Sequence, residues 1–158
     1  MKKRIIQMII AVLLISVAPF MTTQASAATG NEIVNYAKAL QGVKYQYGGT
    51  TPSGFDCSGF TSYVYKKAGI TISRTAAQQY GQGTSVAKSN LQAGDLVFFN
   101  NLGRGATHVG IYIGNSNFIS AESEGIAISS INDPYYWGKY YVGAKRIISA
   151  QVATPAPT

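Results

Sequence analysis

The 158-residue chain has one cysteine, one histidine and only six acidic side chains. Each scarcity excludes something. A single cysteine cannot close an internal disulfide, so Cys57 is a buried small hydrophobe, an intermolecular bridge or a reactive thiol. One imidazole, one thiol and scattered acids do not form a ligand set for a catalytic metal, and no organic cofactor is called for. Lys and Arg outnumber the acids 13 to 6, yet they nowhere cluster with interleaved aromatics, which argues against a nucleic-acid face.

The beginning of the chain has the pattern of an export signal. Lys2, Lys3 and Arg4 precede an apolar run from Ile5 to about Ala18, and Ala25-Ser26-Ala27 offers the small residues a signal peptidase needs. Residues 1–27 are therefore expected to be a signal peptide. The run is broken by Gln7 and Pro19 and falls short of the ~20 residues that span a bilayer, so no membrane segment is expected after cleavage. No cysteine stands at the cleavage site to carry a lipid. Residues 28–149 have the size of one domain with its own core, and Ala150 to Thr158 lacks periodicity and reads as a disordered tail.

Without Lys2, Lys3 and Arg4 the chain keeps ten basic residues against six acids, a net charge of +4. In an exported bacterial protein, acidic wall polymers are a natural counter-surface for that charge, and plain solubility is an equally good reading. Nothing suggests an apolar interface, so a secreted monomer is expected.

Asn31 to Leu40 reads as a helix with Ile33, Val34, Ala37 and Leu40 on one face, packing as a lid or a flank. Gly42 to Gly59 is rich in Gly, Tyr, Thr and Ser and reads as a loop. A second helix runs from Ser58 to Ala68, with Phe60, Tyr63, Val64 and Ala68 on one face and Gly69 past its end. A short helical stretch follows near Thr75 to Tyr80. Then the period changes to that of strands: Leu96 to Phe99, His108 to Ile113, Asn117 to Ala121, Ile126 to Ile131 and Tyr140 to Ile148. Helices first and strands afterwards predict an α+β fold, helices packed on a central antiparallel sheet.

The chemistry concentrates at two places. Cys57, in GFDCSGF, is predicted at a helix N-terminus, where the dipole lowers a thiol pKa, and an imidazolium nearby would lower it further. His108 opens the apolar strand His-Val-Gly-Ile-Tyr-Ile, which sends it to the same face as Gly110, where the missing side chain would leave room for a ligand beside the ring. Gly54 and Gly59 would let the chain turn sharply and let a carbonyl approach the backbone N–H groups of Cys57 and Ser58. The bland alternatives are a buried thiol and a core histidine bonded to backbone.

The ordered set GVKYQYGG, SGFDCSGF, SRTAAQQY, GDLVFF, HVGIYIGNSNFISA and WGKYYVGAKRI resembles the NlpC-type family of bacterial cell-wall cysteine peptidases, over essentially all of residues 31–148. The resemblance implies a papain-like fold and hydrolysis of peptidoglycan stem peptides, typically between γ-D-glutamate and a diamino acid. It implies Cys57 as nucleophile and His108 as general base. It further implies that the Tyr45 hydroxyl lines the oxyanion site and that Asp56 and Arg74 sit near the cleft, with packing or a surface ion pair as the plainer reading of Tyr45 and Arg74. An amidase or transpeptidase on the same nucleophile, or a catalytically silent wall-binding protein, are the competing readings.

One position departs from the family pattern. Where the family usually has a second histidine, this chain has Ser120 in Phe118-Ile119-Ser120-Ala121. Its hydroxyl is expected to accept a hydrogen bond from the imidazole, with Glu122, a backbone carbonyl or water as alternatives. Hairpin geometry bears on the choice. A loop with an odd number of residues around Gly114 to Asn117 would put His108, Ser120 and Glu122 on one face, and a two-residue loop would turn both candidates away.

Overall fold

The computed structural model describes residues 28–148; the expected signal peptide and tail lie outside the described residues. Helix α1 (Gly30–Lys38) begins at a capping box in which the Thr29 hydroxyl accepts from the Glu32 N–H and the Glu32 carboxylate accepts from the Thr29 N–H. Its Ile33, Val34 and Ala37 are buried, so it flanks the core, as their helical spacing predicts. The glycine-rich segment expected as loop contains a miniature hairpin, β1 (Thr50–Thr51) and β2 (Gly54–Phe55). Two residues per strand are too few to show alternation.

Helix α2 (Cys57–Lys67) follows at once, with Asp56 as N-cap, and ends before Gly69, whose φ of 81° is the left-handed conformation expected there. Helix α3 (Ala76–Tyr80) is short and capped by Thr75. The main sheet contains β3 (Thr84–Val86), β4 (Leu96–Phe99), β5 (His108–Gly114), β6 (Asn117–Glu122), β7 (Gly125–Ser130) and β8 (Tyr141–Arg146). Its six strands are ordered β3-β8-β4-β5-β6-β7, each pair antiparallel. Besides the β1–β2 hairpin, β3 and α4 were not expected. Strand β3 is a short, largely exposed edge strand, and α4 (Trp137–Tyr140) is a single turn started by Asp133, whose carboxylate accepts from the N–H groups of Tyr135, Tyr136 and Trp137.

Alternation along the strands makes two different faces. Leu96, Phe98, Val109, Ile111, Ile119, Ala121 and Ile126 turn toward the helices and pack with Ile33, Phe60, Val64 and Tyr65. Val97, Phe99, Phe118 and Ala144 turn the other way and are covered by Trp137, Tyr140 and Tyr141. The far end of α2 is fixed to the sheet by the Tyr65 hydroxyl, which donates to the Gly94 carbonyl. Beside it the buried Asp95 carboxylate accepts two bonds of 2.7 Å from the Arg146 guanidinium. These ties leave the N-terminal end of α2 at the start of β5.

The β5–β6 connection resolves the parity question by a route the loop length alone does not show. Asn115 and Ser116, at φ of 52° and 60°, form a two-residue turn between Gly114 and Asn117. A bulge between Tyr112 and Gly114 then shifts the register by one, so that Tyr112 pairs with Phe118 and Ile111 with Ile119. Continuing that register sets Gly110 opposite Ser120 and His108 opposite Glu122. The bulge cancels the consequence of the short turn, and all three polar side chains share the face away from the helices.

Candidate active site

Asp56 builds the thiol's surroundings. Its carboxylate accepts from the Gly59 N–H at 2.6 Å and the Gly48 N–H at 3.1 Å, and from Arg74 through two bonds of 3.0 and 2.6 Å. With both oxygens engaged, Asp56 locks the tyrosine-rich segment and Arg74 onto the first turn of α2. Phe60 N–H donates to the Asp56 carbonyl as the first regular helical bond. The N–H groups of Cys57 and Ser58 precede that bond, and with the N–H of Val109 from β5 they favour the charged form of the Cys57 thiol. Those donors can stabilise negative charge on sulfur or on an adjacent oxygen.

Arg74 also donates to the Ser58 hydroxyl at 3.0 Å, so Asp56, Ser58 and Arg74 form one cluster beside the thiol. Gly59 serves packing: a Cβ there would collide with the Gly49 carbonyl. Gly54 is likewise held by contact, a Cβ there lying 2.7 Å from the Gln46 side chain. Neither glycine is needed for a left-handed turn, which corrects the sharp turn expected of them.

Tyr45 is held by a parallel bridge to Phe55, with the Phe55 N–H donating to the Lys44 carbonyl and the Gln46 N–H to the Phe55 carbonyl. Burial, then the charges of Cys57 and Asp56, push its phenol up, so it stays a neutral donor at neutral pH. Tyr45 also lines a cavity of about 560 Å³ with Asn101, His108, Glu122, Tyr136 and Trp137. The tyrosine thus connects the thiol's surroundings with the imidazole's.

His108 is buried and stacked on Trp137, with ring centroids 4.7 Å apart and planes tilted by 31°. Phe99 stands 6.1 Å away on the other strand. Burial pushes the imidazole down to about 4. Burial also pushes the Cys57 thiol up, assisted by the Asp56 charge and only partly offset by the three N–H groups. The expected depression of the thiol pKa is therefore not what the free site shows: each group is driven to its neutral form, because desolvation outweighs the helix terminus.

The space expected at Gly110 is filled, and the cavity that His108 lines opens elsewhere. A Cβ on Gly110 would lie 2.6 Å from the Phe118 ring and 3.0 Å from the Ser120 Cβ, so the glycine makes room for strand β6. Ser120 is fully buried, but its hydroxyl donates to Glu122 Oε1 at 3.2 Å. The bond expected from the imidazole to Ser120 is absent, and His108 Nε2 is a buried nitrogen without a hydrogen-bond partner among the described residues. Sequence reading missed Trp137 as the ring that covers His108, although it is the chain's only tryptophan. It also missed Ser129, which donates to Glu122 Oε1 at 2.7 Å.

Residues 42–146 match the model of the NlpC/P60 family. The probable peptidoglycan endopeptidase LytE of Bacillus subtilis is 48% identical over 117 residues, covering 73% of this chain and 34% of that protein. The gamma-DL-glutamyl hydrolase of the same organism is 39% identical over 158 residues, covering 95% of this chain and 38% of that protein. The chain thus spans little more than a third of the length of these curated relatives. Among solved structures, an NlpC/P60 family protein from Bacillus cereus is similar with a TM-score of 0.73 and 38% identity, over 78% of this chain and 42% of that one.

Proposed function

The chain belongs to the NlpC/P60 family, whose domains are papain-like, and from that premise we propose that it is a secreted cysteine endopeptidase of peptidoglycan. The bond cut is the one between γ-D-glutamate and the diamino acid of the stem peptide. The observation that carries this reading is the placement of Cys57 at the N-terminus of α2, with the backbone N–H of Val109 in β5 favouring its charged form and His108 adjacent in that strand. The names of the two Bacillus subtilis relatives support the substrate class and the γ-glutamyl linkage.

In the proposed mechanism a neutral imidazole meets a neutral thiol. His108 takes the Cys57 proton as sulfur attacks the amide carbon, so charge is created during the reaction. The tetrahedral oxyanion is received by N–H groups at the α2 N-terminus and by the Tyr45 hydroxyl. His108 then gives its proton to the departing amine, leaving a thioester on Cys57. Water, losing a proton to the same imidazole, releases the acid and restores the thiol. Asp56, Ser58 and Arg74 form the substrate-facing polar wall, with Asp56 also holding the backbone that presents the donors. The exported protein acts in the wall, where its basic excess favours acidic polymers.

Incubation of the mature protein with purified muropeptides, read by mass spectrometry, tests the reading. The expected product is a disaccharide retaining the L-alanyl-γ-D-glutamate dipeptide, together with a free fragment beginning at the diamino acid. Release of intact stems from the sugar would assign an amidase, and no cleavage by folded, reduced protein would remove the enzymatic reading.

A further inference from the structure

We infer that Glu122 recognises the free side-chain ammonium of the diamino acid that leaves, and so directs the enzyme to stems that are not cross-linked through that amine. This inference rests on the proposed cleavage after γ-D-glutamate and adds what the leaving side must carry. The starting point is the cavity of about 560 Å³ beside His108. Its lining includes Tyr45, His108, Tyr136 and Trp137 but none of Asp56, Ser58 and Arg74, which cluster beside the thiol. His108 gives its proton to the departing amine, so the cavity next to the imidazole is where the side chain of the leaving residue is received.

One carboxylate lines this cavity, and no Lys or Arg does. Glu122 Oε1 accepts from the Ser120 hydroxyl at 3.2 Å and from the Ser129 hydroxyl at 2.7 Å, which fixes the carboxylate, while Oε2 has no hydrogen-bond partner among the described residues. The ion pairs among those residues join Arg74 to Asp56 and Arg146 to Asp95, and neither neutralises Glu122. A neutral glutamine would satisfy two serine hydroxyls equally well, so the charge at this position answers to something else. A fixed carboxylate with one oxygen free, in a cavity without a cation of its own, is complementary to an ammonium group.

The rest of the lining narrows the ligand. Tyr136 and Trp137 pack edge to face with centroids 4.8 Å apart, and Asn101 Nδ2 donates to the Tyr136 hydroxyl at 3.0 Å, so what surrounds the carboxylate is aromatic or neutral. An alkyl stem covers such rings while its ammonium stays with the anion. A primary ammonium on a four-carbon stem, as in lysine, has that form. Strand register agrees: continuing the β5–β6 pairing sets Glu122 opposite His108, and opposite residues have Cβ atoms about 4.5–5.5 Å apart. One diamino acid can therefore present its departing amine to the imidazole and its side-chain amine to Glu122. Acylation of the side-chain amine, as in a cross-link, removes its charge and leaves the carboxylate without a counter-ion.

Trp137 is the chain's only tryptophan and lines the cavity, so its fluorescence reports occupancy without catalysis. The probes are L-lysyl-D-alanine and Nε-acetyl-L-lysyl-D-alanine, which differ only at the side-chain amine. The unmodified dipeptide is expected to bind about tenfold more tightly at low salt. Glu122→Gln, which keeps an acceptor for both serines and removes the charge, should bring the two affinities within about twofold of each other. On muropeptides carrying the same two residues at the third stem position, kcat/KM should show the same preference and lose it in the same variant. Equal affinities in the wild-type protein, no saturable fluorescence change with either dipeptide, or a preference that survives in Glu122→Gln would overturn the inference. Because binding is read on fragments already cut, a protein that discriminates the dipeptides but cleaves no muropeptide would refute the proposed function and leave the ammonium site standing.

Discussion

On β4, Leu96 and Phe98 turn to the helices while Val97 and Phe99 turn away, and all four are fully buried. Equal burial conceals a difference in what the two faces hold. The helix side is apolar throughout its centre, closed by α1 and α2, and holds the sheet to the helices. The opposite side mixes aromatic rings with His108, Ser120 and Glu122, and its cover is a single helical turn and the aromatics around Trp137. A polar site with an unpartnered imidazole is costly to bury, and the face least needed for assembling the core is where it is placed.

If that division holds, damage should separate into stability and activity. The largest stability loss is expected from Phe98→Ala on the helix side, about 3–5 kcal/mol by urea unfolding. A loss below about 1 kcal/mol would mean that the helix face does not carry the core.

The next effect belongs to His108. Its pKa is about 4 in the folded protein against an ordinary value of 6.5, so the unfolded chain binds the proton first as pH falls. The folded protein should therefore lose about 3 kcal/mol of stability between pH 6.5 and 4, relative to His108→Gln over the same range. Parallel pH profiles of unfolding for the two proteins would contradict the buried neutral imidazole.

A smaller effect is expected from Trp137→Leu. Loss of the stacked ring should cost about tenfold in kcat, with a stability loss well below that of Phe98→Ala. Equal stability losses for the two substitutions would erase the distinction between the faces. The smallest effect is that of Arg74→Ala on stability. Its bond to Asp56 is partly exposed to solvent, and the change in unfolding free energy should stay within about 1 kcal/mol.

Legibility in the sequence follows the same division. The helix side could be read because burial writes a pattern: Ile33, Val34 and Ala37 mark α1 by their spacing, and the unbroken apolar run Leu96 to Phe99 marks β4. Cys57 and His108 could be read because each stands alone of its type beside a structural boundary. The arrangement around them could not. The bulge after Tyr112 decides which face Ser120 and Glu122 occupy, and it leaves no mark in residue type. Trp137 reaches His108 through a turn made by Asp133, an interaction between neighbours that no periodic pattern reports. The neutral state of the thiol follows from enclosure in three dimensions, which a helix N-terminus in the sequence does not disclose.

The central claim is that Cys57 is the nucleophile, and capture of its acyl intermediate tests that most directly. Protein mixed with an excess of stem peptide, quenched in acid and weighed intact, should carry the mass of the acyl fragment ending in γ-D-glutamate. The adduct should map to Cys57 and be removed by hydroxylamine. Cys57→Ala should show neither adduct nor product while melting like the parent. Product formation at the parental rate by Cys57→Ala would contradict the account.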